Sequence, residues 1–380
     1  MKFIFYLGAL LLFCMNTFAQ TPETDSRMIL YWGEKDLTWG DFQGVPPKNS
    51  NYSSEISYGI GYRPFEKPVD SLDMDVRWIE TYCYMDRGAS WVKENEKTDV
   101  NLLYNQTIFD IVELYSRRLQ EEINHLSGST FAITNTLDEL LREYDSKIKN
   151  VHAIISSETY DGMNGDRVNY WYNKTRLELS QQKKKIIPDY QLGHWGLGMS
   201  FDLGYGTISG VSKDYLSNKF FNLSFGFDVG YKPLIFYLRI VAGFNSVKNE
   251  FTYEDRIWEK DLSTSLGVIE LTAGYPIFNS NSLCLTPFIG PGIVELAVNS
   301  QDGKYKDYRI DKFTGVFGLN LDYKFSKGLD LLNDFIFRQK SNWIIRARLT
   351  IAPFKMDERI KGWSVNFTVG VGGFLNSVEL

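Results

Sequence analysis

Two neighbouring stretches of strict two-residue alternation constrain the fold of this chain more than any other feature. In residues 197–205 and again in 221–229, large apolar side chains alternate with glycine, serine, asparagine and aspartate. Successive side chains of a β-strand point to opposite faces, so this period predicts strands with one apolar and one polar face. In a soluble sandwich the apolar face would meet a second sheet. In an outer-membrane barrel it would meet lipid, and the polar face would line the interior.

Six more alternating segments follow, and each is long enough to cross a bilayer at a tilt of about 45°. The eight predicted strands cover residues 197–205, 221–229, 235–245, 266–275, 283–297, 316–325, 343–351 and 363–371. Pro287 and the Gly-Pro-Gly at 290–292 predict a bulge or bend in the fifth strand. Residues 327–341 are long for a turn, so we expect an ordered flap or extended strands there. Short connections follow the second and fourth strands, as in a barrel entered from the periplasm.

The polar face of the predicted barrel carries eight charges that nearly balance. They are Asp202, Asp228, Glu270 and Asp322 against Arg239, Lys324, Arg346 and Arg348. Eight strands enclose only enough space for side chains, and an unpaired charge in so narrow a space would be costly. We therefore expect these charges to pair and fill the interior, which disfavours a pore.

Residues 1–19 have the features of a secretory signal peptide. A basic residue precedes an apolar core at 3–13, and small residues at 17 and 19 predict cleavage before Gln20. Cys14 lacks the small preceding residue that lipidation requires. No later run of about eighteen apolar residues predicts a membrane-spanning helix. The net charge of -6 disfavours nucleic acid as a partner.

A different pattern occupies the region between the signal peptide and the barrel. Short alternating runs at 54–62 and 73–85 predict strands, and apolar residues at helical spacing then predict three helices. These helices cover residues 99–126, 136–149 and 165–185, and the first is expected to be amphipathic. The sequence thus predicts an α+β periplasmic domain at 20–187, followed by an all-β antiparallel eight-stranded transmembrane barrel at 188–380.

Two motifs of this domain resemble a family of secreted bacterial zinc-dependent protease-like proteins. They are LTWGDFQGVP at 37–46 and NLLYNQTIFDIVELYSRRL at 101–119, and the resemblance covers roughly residues 30–180. In the family's helix an HExxH motif sets two histidines on one face to bind zinc, and its glutamate takes a proton from the metal-bound water. The residues that match the family's helix are Gln106, Phe109, Asp110, Ile111, Glu113 and Arg117.

The metal-binding positions of that motif do not match. Tyr104 stands at the first histidine, Asn105 at the glutamate and Ile108 at the second histidine. Isoleucine cannot bind zinc and asparagine cannot act as a base, so we expect a degenerate site with no metal, no cofactor and no peptidase activity. The three histidines of the chain, at 125, 152 and 194, have no ligand spacing among them.

Asp110 and Glu113 leave two interpretations open. They share a helix face and could hold a cation. Alternatively, Glu113 could pair with Arg117 one turn further on, which would make both carboxylates structural.

The sequence therefore predicts an outer-membrane-anchored periplasmic binding or scaffold protein, with outer-membrane lipid and an envelope protein as its partners. A metal-dependent hydrolase using Asp110 with Glu113 is one alternative. A small outer-membrane channel or transporter component is a second, and a soluble C-terminal β-sandwich is a third.

Overall fold

A computed structural model describes residues 28–127, 130–299, 303–305, 307–332 and 337–380. The predicted signal peptide lies outside the described residues. The chain divides into two compact units. The first comprises residues up to Arg63, Thr81–Ile123 and Leu137–Lys185, and the second comprises Pro64–Glu80, Asn124–Thr136 and Ile186–Leu380.

The secondary structure elements follow one another in an α+β segment and then an all-β segment. The strands are β1 (Ile29–Tyr31), β2 (Ser54–Val69), β3 (Met74–Val92), β4 (Gln191–Ile208), β5 (Lys219–Tyr231), β6 (Leu234–Ser246), β7 (Phe251–Tyr253), β8 (Arg256–Trp258), β9 (Ser263–Gly274), β10 (Phe278–Asn279), β11 (Leu283–Val298), β12 (Arg309–Asp330), β13 (Gln339–Lys355) and β14 (Lys361–Glu379). The helices are α1 (Asp99–Asn124), α2 (Thr130–Thr159) and α3 (Gly165–Gln181). Among the described helices, none is long and apolar enough to cross a membrane.

Eight strands of the second unit close into one antiparallel ring. The order is β4, β5, β6, β9, β11, β12, β13 and β14, and β14 pairs back onto β4 from Ser364↔Ile208 to Glu379↔Gln191. Because the sheet closes on itself, the sandwich alternative is wrong. At the end of the ring where β4 begins, the connections after β5, β9 and β12 span residues 232–233, 275–282 and 331–338. At the opposite end, the connections after β4, β6 and β11 are longer and span 209–218, 247–262 and 299–308, whereas the one after β13 is short and spans 356–360.

Two strands extend well past the predicted limits at this short-turn end. The pairing of β12 with β13 continues to Asp330↔Gln339, so the described part of 327–341 consists mainly of extended strands. Residues 333–336 of that segment lie outside the described residues. Beyond the ring, β12 also pairs in parallel with the second-unit part of β3, from Gly328↔Asp75 to Asp330↔Arg77.

The predicted bulge in the fifth barrel strand is absent. The strand β11 pairs with β12 without a register shift from Leu283↔Tyr323 to Ala297↔Arg309. Gly290 explains how the segment fits, because a Cβ there would lie 2.3 Å from the carbonyl oxygen of Leu271 on β9. The shifts occur instead between Lys324 and Ser326 and between Asn376 and Val378.

The first unit is built around α1. Strand β3 pairs with β1 and with β2, and the unit's core combines residues from this sheet and from all three helices. Most of α1 is buried, so the polar residues of this helix lie within the unit rather than in solvent. Several of its buried polar side chains are hydrogen-bonded within the unit. For example, Gln120 Oε1 accepts from the Thr81 amide at 2.8 Å. A helix enclosed in this way must be largely apolar or hydrogen-bonded all round.

The other two helices differ from their predicted lengths. Helix α2 is longer at both ends, because buried Ile133 and Ile155 continue its apolar face beyond the predicted 136–149. Helix α3 is shorter and ends at Gln181. There the Arg117 guanidinium donates to the carbonyl oxygens of Leu179 and Gln182, at 2.8 and 2.7 Å. These bonds satisfy carbonyls that a helix end leaves without intrahelical partners.

Candidate functional site

The outer wall of the barrel is apolar and exposed. Residues such as Leu203, Phe225, Leu238 and Phe367 point away from the interior and are 45 to 52% exposed. The alternate residues along each strand are buried in the interior. The exposed face of these strands is therefore the apolar one, which is the reverse of a soluble sheet. A continuous apolar surface of this kind marks contact with a partner or a membrane.

Two rows of exposed aromatic residues border this wall. The row at the short-turn end contains Trp195, Tyr231, Tyr275, Tyr323 and Trp343, and the row at the opposite end contains Tyr205, Phe221, Phe244, Phe317 and Trp363. Trp195 pairs with Tyr231, and Tyr205 pairs with Phe221 ten positions further along β4. At about 3.3 Å per residue and a tilt of about 40°, ten positions span about 25 Å of thickness. Outer-membrane barrels have an apolar band about 25 Å tall between aromatic girdles.

Inside the barrel, a layer of charge pairs lies near the middle of the strands. Arg346 donates to both oxygens of Asp322, at 2.7 and 2.9 Å, and to Asp228 at 2.7 Å. Arg239 donates to Asp202, and the Ser224 hydroxyl donates to the same carboxylate at 2.8 Å. All of these groups are at least nine-tenths buried. The bidentate contact to Asp322 is the strong form of arginine–carboxylate recognition.

Arg348, two residues after Arg346 on β13, extends this charged layer. It donates to Glu270 and, at 2.9 Å, to Asn320 Oδ1, and its guanidinium lies 3.7 Å from the centre of the Phe288 ring. Seven of the eight predicted interior charges therefore meet in one network. Lys324 does not join it, because it lies nearer the short-turn end and donates to Asn279 Oδ1 and to the Ser280 carbonyl, at 2.6 and 2.8 Å.

An apolar layer fills the barrel at the long-loop end, which the sequence did not predict. Its strand residues are Ile208, Phe220, Val241, Leu266, Val268, Val294, Leu296, Ile310, Val316, Ala352 and Phe354. Residues of the connections at that end pack against them, namely Leu216, Val247, Phe251, Trp258, Met356 and Ile360. The available signal was IVELAV at 293–298, where the inward positions 294, 296 and 298 are all apolar.

In the first unit, the three degenerate motif positions lie on α1. Ile108 is fully buried in the core, and Tyr104 is nearly so. The Asn105 side-chain amide donates to Ser54 Oγ and to the Asn101 carbonyl, both at 2.8 Å. A donor set of a phenol, an amide and an alkyl group does not fit zinc. Over the described ranges no group of three or more histidine, cysteine, aspartate or glutamate residues could hold a metal ion.

Asp110 and Glu113 lie in separate contacts on α1. Asp110 accepts from the Trp32 indole and the Gln106 amide, both at 2.9 Å, and lies 2.5 Å from Arg176. Burial raises the pKa of Asp110, and these donors and the arginine charge oppose that shift. Glu113 accepts from Arg117 at 2.8 Å. Each carboxylate thus faces an arginine, which matches the structural interpretation more closely than the cation site.

Tyr104 and Asn105 line a pocket of about 450 Å³ within the first unit. We refer to it as the Tyr104 pocket. His152 on α2 contacts two tyrosine hydroxyls there, Tyr58 at 2.9 Å and Tyr104 at 3.3 Å. The Tyr104 hydroxyl also lies 2.5 Å from Ser156 Oγ. His152 carries no local signal in the sequence, because 48 residues separate it from its partner on α1.

The chemistry of this pocket is that of hydrogen bonding. Burial raises the pKa of Tyr58 and of Tyr104 to about 12, so both phenols keep their protons. Burial also lowers the pKa of His152, which keeps the imidazole neutral. Both ring nitrogens of His152 contact phenols, and Ser156 bonds Tyr104. The imidazole–nucleophile contact that a serine hydrolase uses is therefore absent from the described pocket.

Comparison with known proteins gives no family. No protein-family model matches the chain, and no curated protein matches it either. The resemblance to zinc-dependent proteases is therefore unsupported.

Solved structures similar to part of the chain are outer-membrane β-barrel proteins. Ail, the attachment invasion locus protein of Yersinia pestis, in complex with the heparin analogue sucrose octasulfate, is 14% identical, covers 48% of this chain and 99% of its own, and has a TM-score of 0.28. Neisserial surface protein A is 11% identical, covers 48% and 97%, and has a TM-score of 0.30. The outer membrane protein AlkL is 12% identical, covers 49% and 92%, and has a TM-score of 0.25. At such low scores these likenesses bear on neither activity nor ligand.

Proposed function

We propose that this chain is an outer-membrane protein whose barrel anchors a periplasmic binding domain. The observation that carries the proposal is the distribution of polarity in the barrel: exposed residues such as Leu238 are apolar, and buried residues such as Arg346 are charged. A water-soluble protein rarely exposes a large continuous apolar surface. A membrane barrel requires one, and the spacing of the two aromatic rows matches the height of its apolar band.

The connections favour one orientation of the barrel, because three of the four at the opposite end are longer than any at the end where β4 begins. Periplasmic turns of bacterial barrels are short and external loops are long. The chain enters β4 at Gln191 from the short-turn end, so residues before 188 belong in the periplasm. A signal peptide at residues 1–19 is the export signal that this topology needs.

The filled interior supports an anchoring role over the channel alternative. Conduction needs a continuous polar path, whereas the apolar layer closes the barrel on the long-loop side of the charged network. The paired arginines add a second obstruction, because separating them from their buried carboxylates would leave uncompensated charges.

The Tyr104 pocket supports the binding role of the domain. Asn105 lines the pocket, and its Oδ1 is buried without a hydrogen-bond partner among the described residues. Buried polar atoms are rarely left unpaired, so this acceptor suits a donor supplied from outside. Glu55, Asp161 and Lys149 add charge to the lining. We infer that the pocket receives a polar segment of an envelope protein partner.

The hydrolase alternative has weaker support. Its proposed carboxylates, Asp110 and Glu113, face Arg176 and Arg117 respectively. A cation would have to displace both arginines.

Site-specific photo-crosslinking in whole cells tests the proposal. A photoreactive phenylalanine replaces Tyr52, which is 54% exposed at the pocket rim, in the full chain. We expect the protein in the outer-membrane fraction, with a light-dependent adduct to an envelope protein. Leu177 on α3 is the matched control, since it is 59% exposed and does not line the pocket. Recovery in the soluble fraction would contradict the anchor, and equal labelling at both positions would contradict the binding site.

A further inference from the structure

The short-turn end of the barrel contains a cavity of about 510 Å³. Its lining includes four lysines and one histidine, which we refer to as the basic mouth: His194, Lys232, Lys324, Lys327 and Lys340. No aspartate or glutamate is among the described residues that line it. A cavity of this size is in the range that small-molecule sites occupy.

A register shift places Lys327 on the same face as Lys324 and Lys340. Lys324 on β12 pairs with Ile344, which is buried inside the barrel. The shift between Lys324 and Ser326 then pairs Lys327 with Asn342, and Lys340 with Leu329. Without the extra residue, Lys327 would point outward. Bulges of this type re-aim side chains and are common next to functional sites.

The lysines of the mouth are poorly neutralised. Lys327 pairs with Asp73 at 2.5 Å, but the ammonium groups of Lys324 and Lys340 have no carboxylate within 4.0 Å in the described part of the chain. Lys324 donates only to neutral oxygens, those of Asn279 and Ser280. The contrast with the middle of the barrel is sharp, because each arginine there contacts at least one carboxylate.

Converging like charges at a partly buried site are unfavourable unless an opposite charge compensates them. The side-chain amide of Asn342 lines the same cavity and can donate a hydrogen bond. Lysine ammonium groups bind phosphate as compact point charges. We propose that the basic mouth binds a phosphate ester, supplied either by a phospholipid headgroup or by a phosphorylated solute of the periplasm.

The test uses the full chain and separates the two sources. In one arm, the protein in an uncharged detergent is titrated calorimetrically with glycerol phosphate and with pyrophosphate at low ionic strength. In the other arm, it is folded into phosphatidylcholine nanodiscs with and without phosphatidylglycerol, and the retained lipid is identified by native mass spectrometry.

The decisive variant is Lys324→Gln with Lys340→Gln. We expect it to raise the Kd for the phosphate ligand at least tenfold or to abolish retention of phosphatidylglycerol. The matched control is Lys213→Gln with Lys260→Gln, two exposed lysines in connections at the opposite end of the barrel. This control should change the Kd by less than twofold.

Binding in the detergent arm assigns a phosphorylated solute, and retention in the nanodisc arm alone assigns a lipid headgroup. Absence of binding in both arms, or an equal effect of mouth and control variants, overturns the proposal. If the double variant fails to fold, Lys340→Gln replaces it, because Lys340 makes no hydrogen bond or ion pair within the described chain. That variant should keep its thermal stability without ligand and lose the stabilisation that phosphate adds, and retention of that stabilisation would refute the site.

Discussion

Arginine in place of Leu238 tests whether the outer wall lies in hydrocarbon. Leu238 is 49% exposed and lies four positions along β6 from Leu234, which pairs with Tyr231 of the short-turn aromatic row. Four positions at about 3.3 Å and a tilt of about 40° place it about 10 Å inside a band of about 25 Å. That depth is close to the midplane, where an arginine on the lipid face of a barrel costs about 2–4 kcal/mol.

The assay is urea unfolding of the chain in phosphatidylcholine vesicles, followed by tryptophan fluorescence. Leu234→Arg, at the level of the aromatic row, should cost only about 0–1 kcal/mol. Ile257→Arg is the matched control, because Ile257 is 48% exposed in the β7–β8 hairpin outside the barrel wall. A surface substitution of that kind should change stability by no more than about 0.5 kcal/mol. If Leu238→Arg costs no more than Ile257→Arg, the wall is not in contact with lipid.

Three further predictions concern buried groups. Arg346→Met leaves Asp228 and Asp322 buried without their shared arginine, so we expect a loss of about 3–5 kcal/mol in urea unfolding, and a loss below about 1 kcal/mol would contradict the pairing. Ile108→Ala should cost about 2–5 kcal/mol, because the side chain is fully buried, and a near-neutral result by the same assay would place this residue outside the core. The folded-state pKa of His152 lies below its ordinary value of 6.5, so as the pH falls this histidine is protonated in the unfolded state before it is protonated in the folded state. The contribution of this group to stability should be complete above about pH 6.5 and should decline as the pH falls below that value. The urea midpoint of His152→Gln should fall less steeply over the same pH range. Identical pH profiles of the two proteins would refute the assignment.

The barrel strands could be predicted from the sequence because their signal is local. Alternation with a period of two is visible within one strand. Seven of the eight predicted segments fall within strands of the ring, and the segment 266–275 exceeds its strand by one residue. The predicted ends of the strands were less accurate, because β12 and β13 continue beyond the apolar outer wall of the barrel without an apolar outer face of their own. Proline and glycine in β11 were misleading, because Gly290 accommodates the close approach of β9 without any change in register.

The candidate sites depended on contacts that no local pattern encodes. Tyr104 was recognised only as a substituted position, and its contact with His152 required α1 and α2 to pack side by side. The basic mouth required the one-residue shift after Lys324, without which Lys327 would be assigned to the outer face. A sequence pattern fixes the face of each residue only as long as the register is uninterrupted.

The interior of the barrel differs in charge from one end to the other, and this difference bears on function. At the long-loop end, the apolar layer excludes water and charge. In the middle, Arg239, Arg346 and Arg348 are each held by carboxylates. At the short-turn end, Lys324 and Lys340 lack such partners in the described chain. The phosphate ester that we propose would compensate the positive charge that this end of the barrel leaves without a carboxylate.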